Sequence, residues 1–261
     1  MIKFQPFLSS SSGNSTFVTD DETNILIDCG ASGSYLEKCL QRVCSKGEEL
    51  KALFLTHAHT DHIASAGVLS KKFNVPVYAT KETFLLGGKF LEQVDEKNKK
   101  IISSGDDIQV GNLKIHAFPI SHDIDGAVSY TVSDNETKFG IATDSGIVTD
   151  EILENLSGCE TVIVESNHDI EMLSHGPYPY FLKRRILGEK GHLSNDACGE
   201  LCAKLAKKGT KAFWLGHLSD HNNLPARAYE SVSGVLKEKG IVVGTDVALN
   251  VIPKCWIEDR I

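Results

Sequence analysis

Residues 52 to 62 read ALFLTHAHTDH, an apolar run that stops at three histidines and an aspartate, His57, His59, Asp61 and His62. Alternate residues of a strand share a face, so His57 and His59 point the same way at the edge of a sheet. Asp61 and His62 then fall on the loop or first helical turn beyond it. Imidazole and carboxylate are ligands for zinc, manganese or iron, and four of them this close can hold parts of two neighbouring sites. Scattered surface or core histidines do not account for such density. The segment constrains the chain to a sheet whose edge carries a metal centre.

The surrounding pattern supplies that sheet. Short β-rich runs bounded by turn residues open the chain: IKFQPFL, the turn SSSSGN, STFVTD, the turn DET and NILIDCG. Tyr35, Leu36, Cys39, Leu40 and Val43 are spaced for one helical face. KALFLTH, SAGVLSKKF and VPVYAT follow as strand, helix and strand. After a polar stretch around 92 to 107 the order repeats, with strands at DIQV, LKIHAFPISH, VSYTVSD and KFGIATD, a helix at TDEILENL and a strand at TVIVES. Further helices are predicted over 179–188, over 195–207 behind Ser194 as cap, and over 225–239 from Pro225, with the strand KAFWLGH among them. Two β-rich halves with interleaved helices predict a four-layer αββα arrangement. No Pro- or Ser-rich linker divides the chain, so one domain over residues 1–261 is expected.

Composition narrows the class. The chain has 261 residues, 41% hydrophobic and 24% charged, as ordinary globular proteins do. No stretch approaches the roughly 18 apolar residues of a membrane span, and MIKFQPFLSS lacks a basic segment followed by a long apolar run. A cytoplasmic protein without membrane attachment is expected. Cys29, Cys39, Cys44, Cys159, Cys198, Cys202 and Cys255 form an odd set without a C-x-x-C pair, which reads as reduced core thiols. A net charge of −8 argues against a large basic surface, although cations in a metal centre offset such charge locally. The densest basic cluster is LKRR at 182 to 185, a pattern common on solvated helix faces.

The H-x-H-x-D-H segment resembles the metallo-β-lactamase superfamily, whose other stations occur here in order at strand termini. Asp28 in ILIDCG, His122 in FPISHD, Asp144 in GIATDSG and His217 in WLGHLSD match them. The resemblance spans residues 2 to about 252. It implies one divalent ion held by His57, His59 and His122 and a second held by Asp61, His62 and His217, with Asp144 bridging. It implies zinc or manganese, with iron a third candidate. Asp28 would orient the ligand loop by hydrogen bonding. His116, His168, His175 and His221 are rivals that end no strand in the expected order, and His221 is the most serious of them.

Two such ions suit phosphoesters, thioesters and lactams alike, and a fold does not choose among them. Beyond Asp144 the chain reads VIVESNHD and GHLSN, similar to the tRNA 3'-processing nucleases of the superfamily, with Glu165 and His192 in the positions of a strand-end Glu and a helix-capping His. A phosphodiester has a poor alkoxide leaving group, so a His-Glu pair able to donate a proton has a purpose there. With Asp61, these two are the candidates for chemistry. Glu165 also reads as a solvated strand end, and His192 as a surface cap. The interval from Asp144 to His217 is too short for the β-CASP insertion. SSSSGNSTFV, THAHTDH, ATDSG, ESNHD, GHLSN and GHLSDHNN together resemble the YycJ (WalJ, VicX) group, which implies a 5'-to-3' exonuclease on double-stranded DNA. Ser11, Ser12 and Asn14 could cradle a phosphate where Gly13 permits positive φ, or form only a hairpin turn; Asn222 could touch sugar or phosphate, or only satisfy a turn. A small-molecule hydrolase of a thioester or cyclic phosphodiester is the alternative, and a metal-dependent binding protein without turnover a third reading. The sequence points to no protein partner.

Overall fold

In the computed structural model, which describes residues 1–44 and 50–257, the strands form two sheets on one plan. The first lies in the order β1 (Lys3–Ser10), β2 (Gly13–Thr19), β3 (Asn24–Ile27), β4 (Leu50–Phe54), β5 (Val77–Thr80) and β6 (Lys99–Ile102). The first three strands are an antiparallel meander, and β4, β5 and β6 are added in parallel. The second sheet comprises β7 (Asp107–Val110), β8 (Leu113–Pro119), β9 (Val128–Ser133), β10 (Lys138–Ala142), β11 (Thr161–Glu165), β12 (Ala212–Gly216) and β13 (Ala248–Val251). It too begins antiparallel, through β10, and continues parallel. Parallel neighbours need crossovers, and the helices supply them: α1 (Gly33–Val43), α2 (Thr60–Ile63), α3 (Ala66–Phe73), α4 (Lys81–Leu86), α5 (Gly88–Leu91), α6 (Asp150–Leu156), α7 (Ile170–His175), α8 (Tyr180–Ile186), α9 (Asn195–Ala206) and α10 (Pro225–Glu238).

Strand periodicity sorts the apolar side chains into three layers of core. Ile25 and Ile27 of β3 face Ile141 and Ile163 of the other sheet, in an inter-sheet layer with Phe54, Tyr130 and Phe139. Leu26 and Leu53 point outward, under Leu36, Cys39 and Leu40 of α1. Val162, Val164, Phe213 and Leu215 point outward on the other side, beneath Leu201 and Leu205 of α9 and Val232 and Leu236 of α10. Helix, sheet, sheet and helix therefore stack as the four-layer αββα sandwich. Tyr130, fully buried, donates to the Leu55 carbonyl at 2.6 Å and joins the two sheets just below the histidine segment. Six of the seven cysteines are buried and Cys255 is half-buried.

Some elements differ from those read in the sequence. The polar stretch near residue 100 contains β6, an edge strand whose two central residues face solvent, so no alternation betrays it. The predicted helix over 179–188 is the shorter α8, and α4, α5, α7 and β13 are too short for a periodic signal. Among the described residues no helix is long and apolar enough to cross a membrane.

Backbones approach most closely where the histidine loop docks. A β-carbon on Gly30 would lie 1.6 Å from the Asp61 carbonyl oxygen, while the Gly30 amide donates to Asn14 at 2.9 Å. Gly30→Ala should therefore displace the Asp61 loop, lowering both the melting temperature and metal content. Gly234, inside α10, has open space around its β-carbon direction. Gly234→Ala should stabilise the protein by about 0.5–1 kcal/mol through reduced backbone entropy, a rise of roughly 1–4 °C. Calorimetry and metal analysis of the two variants check the contrast.

Candidate metal centre

The carboxyl ends of the parallel strands converge on one rim, where open α/β sheets place their ligands. Asp28 follows β3, His57 to His62 follow β4, Asp144 follows β10, Glu165 ends β11 and His217 follows β12. His122 comes from the loop after β8. Asp28, Asp144 and His217 have φ of 63°, 60° and 55°. Left-handed backbone at residues other than glycine costs on the order of 1–3 kcal/mol, and here it turns each chain out of its strand as it reaches the rim.

The imidazole nitrogens meet tip to tip. His57 Nε2 lies 3.0 Å from His59 Nδ1, which lies 3.2 Å from His122 Nε2. Tetrahedral ligation with bonds of about 2.0–2.1 Å puts neighbouring ligand atoms roughly 3.3 Å apart, so these three atoms already occupy corners of such a site. A second group gathers Asp61, His62 and His217: Asp61 Oδ2 is 3.4 Å from His62 Nε2 and 3.8 Å from His217 Nε2. Asp144 lies between the groups. Its Oδ1 is 3.4 Å from His217 Nε2 and 3.9 Å from His122 Nε2, and its Oδ2 is 3.2 Å from His62 Nε2. The buried Asp144 Oδ2 and His217 Nε2 have no hydrogen-bond partner. Orphaned buried polar atoms are costly, and a cation shared among them removes the cost. The residues thus fit a pair of divalent ions.

The far sides of His62, of His217 and, through Thr56, of His57 are fixed by buried carboxylates. Asp28 accepts from His62 Nδ1 at 2.7 Å and from the Thr56 amide at 2.9 Å. Thr56 Oγ1 donates to the same carboxylate at 2.9 Å and lies 3.0 Å from His57 Nδ1, so one aspartate orients two rings, the second by relay. Glu165 does the same in the other sheet. Its Oε1 accepts from His217 Nδ1 at 2.7 Å and from His192 Nδ1 at 2.8 Å, and its Oε2 from the amides of Ser145 and Leu193 at 3.1 Å each. Glu165 is fully buried, which removes the reading as a solvated strand end. Burial alone would raise its pKa, but His192 and His217 outweigh that and hold it down at about 2. Burial opposes protonation of His217, yet Asp144, Asp61 and Glu165 push it up to about 10. His57 goes the other way, pushed well below its usual range by burial and by His62 beside it. A metal binding at His217 must displace a proton, and the carboxylates that favour the proton favour the metal.

The centre opens into a cavity of about 340 Å³ lined by Ser11, Thr60, Arg185 and His192 together with His59, Asp61, Asp144 and His217. Arg185 of α8 donates to Asp123, whose Oδ1 lies 3.4 Å from His59 Nε2 and 3.6 Å from His122 Nε2. The SSSSGN turn reaches the cavity through Ser11 only. Ser12 is exposed and hydrogen-bonds Ser10 at 2.9 Å. Gly13 is absent from the positive-φ positions; a β-carbon there would lie 2.6 Å from the Gly30 carbonyl, so close approach is what requires glycine. Asn14 is corrected from a phosphate contact to a buried member of the centre, its Nδ2 3.1 Å from His62 Nε2 and 3.5 Å from Asp61 Oδ2. Asn222 is fully buried against Ser219 and does not line the cavity.

Of the rival histidines, His221 is exposed and packs edge-on to Tyr178, while His116 and His175 pair with Asp107 and Glu171 away from the rim. His168 is buried outside all the ligand groups, its nitrogens without partners. Thr56, Asp123, Arg185 and the Glu165 bond to His217 were not legible as site features. Only the position of Thr56 inside the histidine segment and of Arg185 inside the basic cluster offered a signal.

Residues 23–217 match the "Beta-lactamase superfamily domain". The chain is 36% identical over 243 residues to "Exodeoxyribonuclease YycJ" of Bacillus anthracis, covering 93% of this chain and 92% of that one. It is 34% identical over 246 residues to "Exodeoxyribonuclease WalJ" of Streptococcus pneumoniae, covering 94% and 91%. Among solved structures, the metallo-beta-lactamase fold protein YhfI of Bacillus subtilis superposes with a TM-score of 0.73 at 17% identity over 98% of each chain.

The Asp28 relay generates a direct test. Asp28→Asn replaces one acceptor oxygen by a donor that opposes the Thr56 and His62 donors. The expected result is a rise of roughly 10- to 100-fold in metal dissociation constant, read by competition with a chelating dye. Unchanged metal affinity would show that the relay does not set ligand geometry.

Proposed function

This chain belongs to the beta-lactamase superfamily, and from that premise we propose that it is a metal-dependent exodeoxyribonuclease, cleaving phosphodiester bonds of double-stranded DNA from the 5' end. The observation that carries this reading is His192. Its Nδ1 is tied to Glu165 at 2.8 Å, its other ring face looks into the cavity, and it stands beside the bridging position of Asp144 at 3.6 Å. Relatives that match nearly end to end carry exodeoxyribonuclease names, in keeping with this use of the site.

In this reading His57, His59 and His122 would hold one divalent ion and Asp61, His62 and His217 a second, with Asp144 standing between the two groups. Zinc and manganese suit this nitrogen and oxygen donor set, and iron is the third candidate. Such ions offset charge on a phosphodiester and acidify water near neutral pH. The protein's own groups do the rest. The Asp61 carboxylate, held well below its ordinary range by His62 and His217 against the effect of burial, accepts hydrogen bonds at the cavity wall. Burial opposes charging of His192, but Glu165 outweighs it and raises its pKa, so the ring holds its proton higher in the pH range. That proton is available to the departing sugar oxygen. A thioester expels its thiolate readily without one, which is why this acid favours a phosphodiester over a thioester. Cysteines packed in the core suit a reducing cytoplasm. The limited cavity volume and the net charge of −8 favour the second reading, a small-molecule hydrolase of a thioester or cyclic phosphodiester. Incubating metal-reconstituted protein with end-labelled duplex DNA, single-stranded DNA and RNA separates the two, since a small-molecule enzyme leaves all three intact.

Asp144→Ala should abolish hydrolysis and lower metal content, because its buried carboxylate lies between the two ligand groups and would offset the repulsion between two cations. Two ions retained per chain would remove the bridging role. His192→Ala should keep both metals and slow nucleic-acid hydrolysis by roughly 100- to 10,000-fold. A nitrophenyl diester, whose leaving group needs little protonation, should lose far less rate. Equal losses on both substrates would exclude His192 as the acid.

A further inference from the structure

The basic cluster of the sequence acquires a context in α8. Its Tyr180 and Phe181 are 75% and 73% exposed, unusual for two adjacent aromatic residues, and Leu187 beyond the helix is 52% exposed. Residues four apart share a helix face. Phe181 therefore stands one turn before Arg185, which lines the metal cavity, and Tyr180 one turn before Arg184, whose guanidinium carbon lies 5.9 Å from the Tyr180 ring centre. Arg185 spends its Nε on Asp123 and keeps the other donors of its fork. The aromatic face is thus continuous with the catalytic cavity through a cation, in a chain whose net charge is −8.

Resting on the nuclease reading, we propose that α8 is the platform on which the unpaired end of a nucleic-acid strand is held as it enters the metal centre, with Tyr180 and Phe181 stacking on bases and Arg185 meeting a phosphate. Three observations support this occupant. The cavity, about 340 Å³, takes part of one strand and not a duplex, so an end must separate before it is cut. Every base has a face that an aromatic ring can stack on, and such stacking needs no particular sequence. Positive charge beside the rings complements the phosphates. A positioning surface of this kind acts on the reach of the substrate and not on the chemical step.

The test uses the metal-loaded protein and a DNA duplex with a short 5' overhang carrying 2-aminopurine, protected at the end by phosphorothioates for binding and unprotected for kinetics. The wild type should quench the 2-aminopurine fluorescence. Tyr180→Ala/Phe181→Ala should lose that quenching and raise KM for the overhang substrate roughly 5- to 100-fold with kcat little changed. Tyr180→Phe/Phe181→Tyr, which keeps both rings, should restore both. Arg185→Gln should reduce the salt dependence of binding by about one phosphate contact. Quenching and KM unchanged in the alanine variant, while the wild type cleaves DNA, would overturn the platform and leave the nuclease reading standing. Loss of dimerisation as the only effect, seen by light scattering, would give the face to a second copy of this chain. A wild type that neither binds nor cleaves nucleic acid would remove the nuclease reading and the platform with it.

Discussion

An imidazole offers two nitrogens, and a metal centre built from imidazoles depends on something that decides which one faces inward. For His57, His62 and His217, two buried carboxylates decide it. Asp28 fixes His62 directly and His57 through Thr56, and Glu165 fixes His217 and His192 together. Each carboxylate sits at a strand terminus, Asp28 in the first sheet and Glu165 in the second. Burying a carboxylate is expensive unless its oxygens are fully engaged. Thr56, Ser145 and Leu193 supply the amides that complete the count. The ligand geometry follows from these anchors, and the anchors follow from strands that end together.

That common ending is a property of the topology. Parallel strands joined by crossovers present all their carboxyl termini to one rim, and both sheets switch from antiparallel to parallel midway. Loops leaving the rim must bend at once to bring side chains across it. Asp28, Asp144 and His217 do so in left-handed backbone, a local cost that the three apolar layers beneath can sustain. Gly216 contributes by size. A β-carbon there would lie 2.6 Å from Ser9 Oγ, the atom that accepts the His217 amide.

Most of the proposed ligand set is legible in the sequence because those residues are the ends of apolar runs, and apolar runs are readable. His57, His59, His122, Asp144 and His217 all announce themselves in this way. The misreadings fall where meaning depends on contacts between distant segments. Asn14 and Asn222 looked like polar loop residues free to meet substrate, yet tertiary packing closes over both. Glu165 could be linked to His192 by motif, but its bond to His217 joins residues of two strands and has no local trace. Asp123 and Arg185 are 62 positions apart. β6 was lost for another reason: an edge strand with lysines toward solvent has no hydrophobic period to read.

The contributions to the centre come from both sheets, His57, His59, Asp61 and His62 from the first and His122, Asp144 and His217 from the second. Within the inter-sheet layer the spacing is set by side-chain volume, with Tyr130 and Phe139 as fillers. At the rim there is no such filler. Ions bound among these ligands would be struts across the open end of the sandwich, and the gap between the sheets there would follow ionic radius. Exchanging one metal for another is then a change in the spacing of two β-sheets, felt by every loop that leaves them.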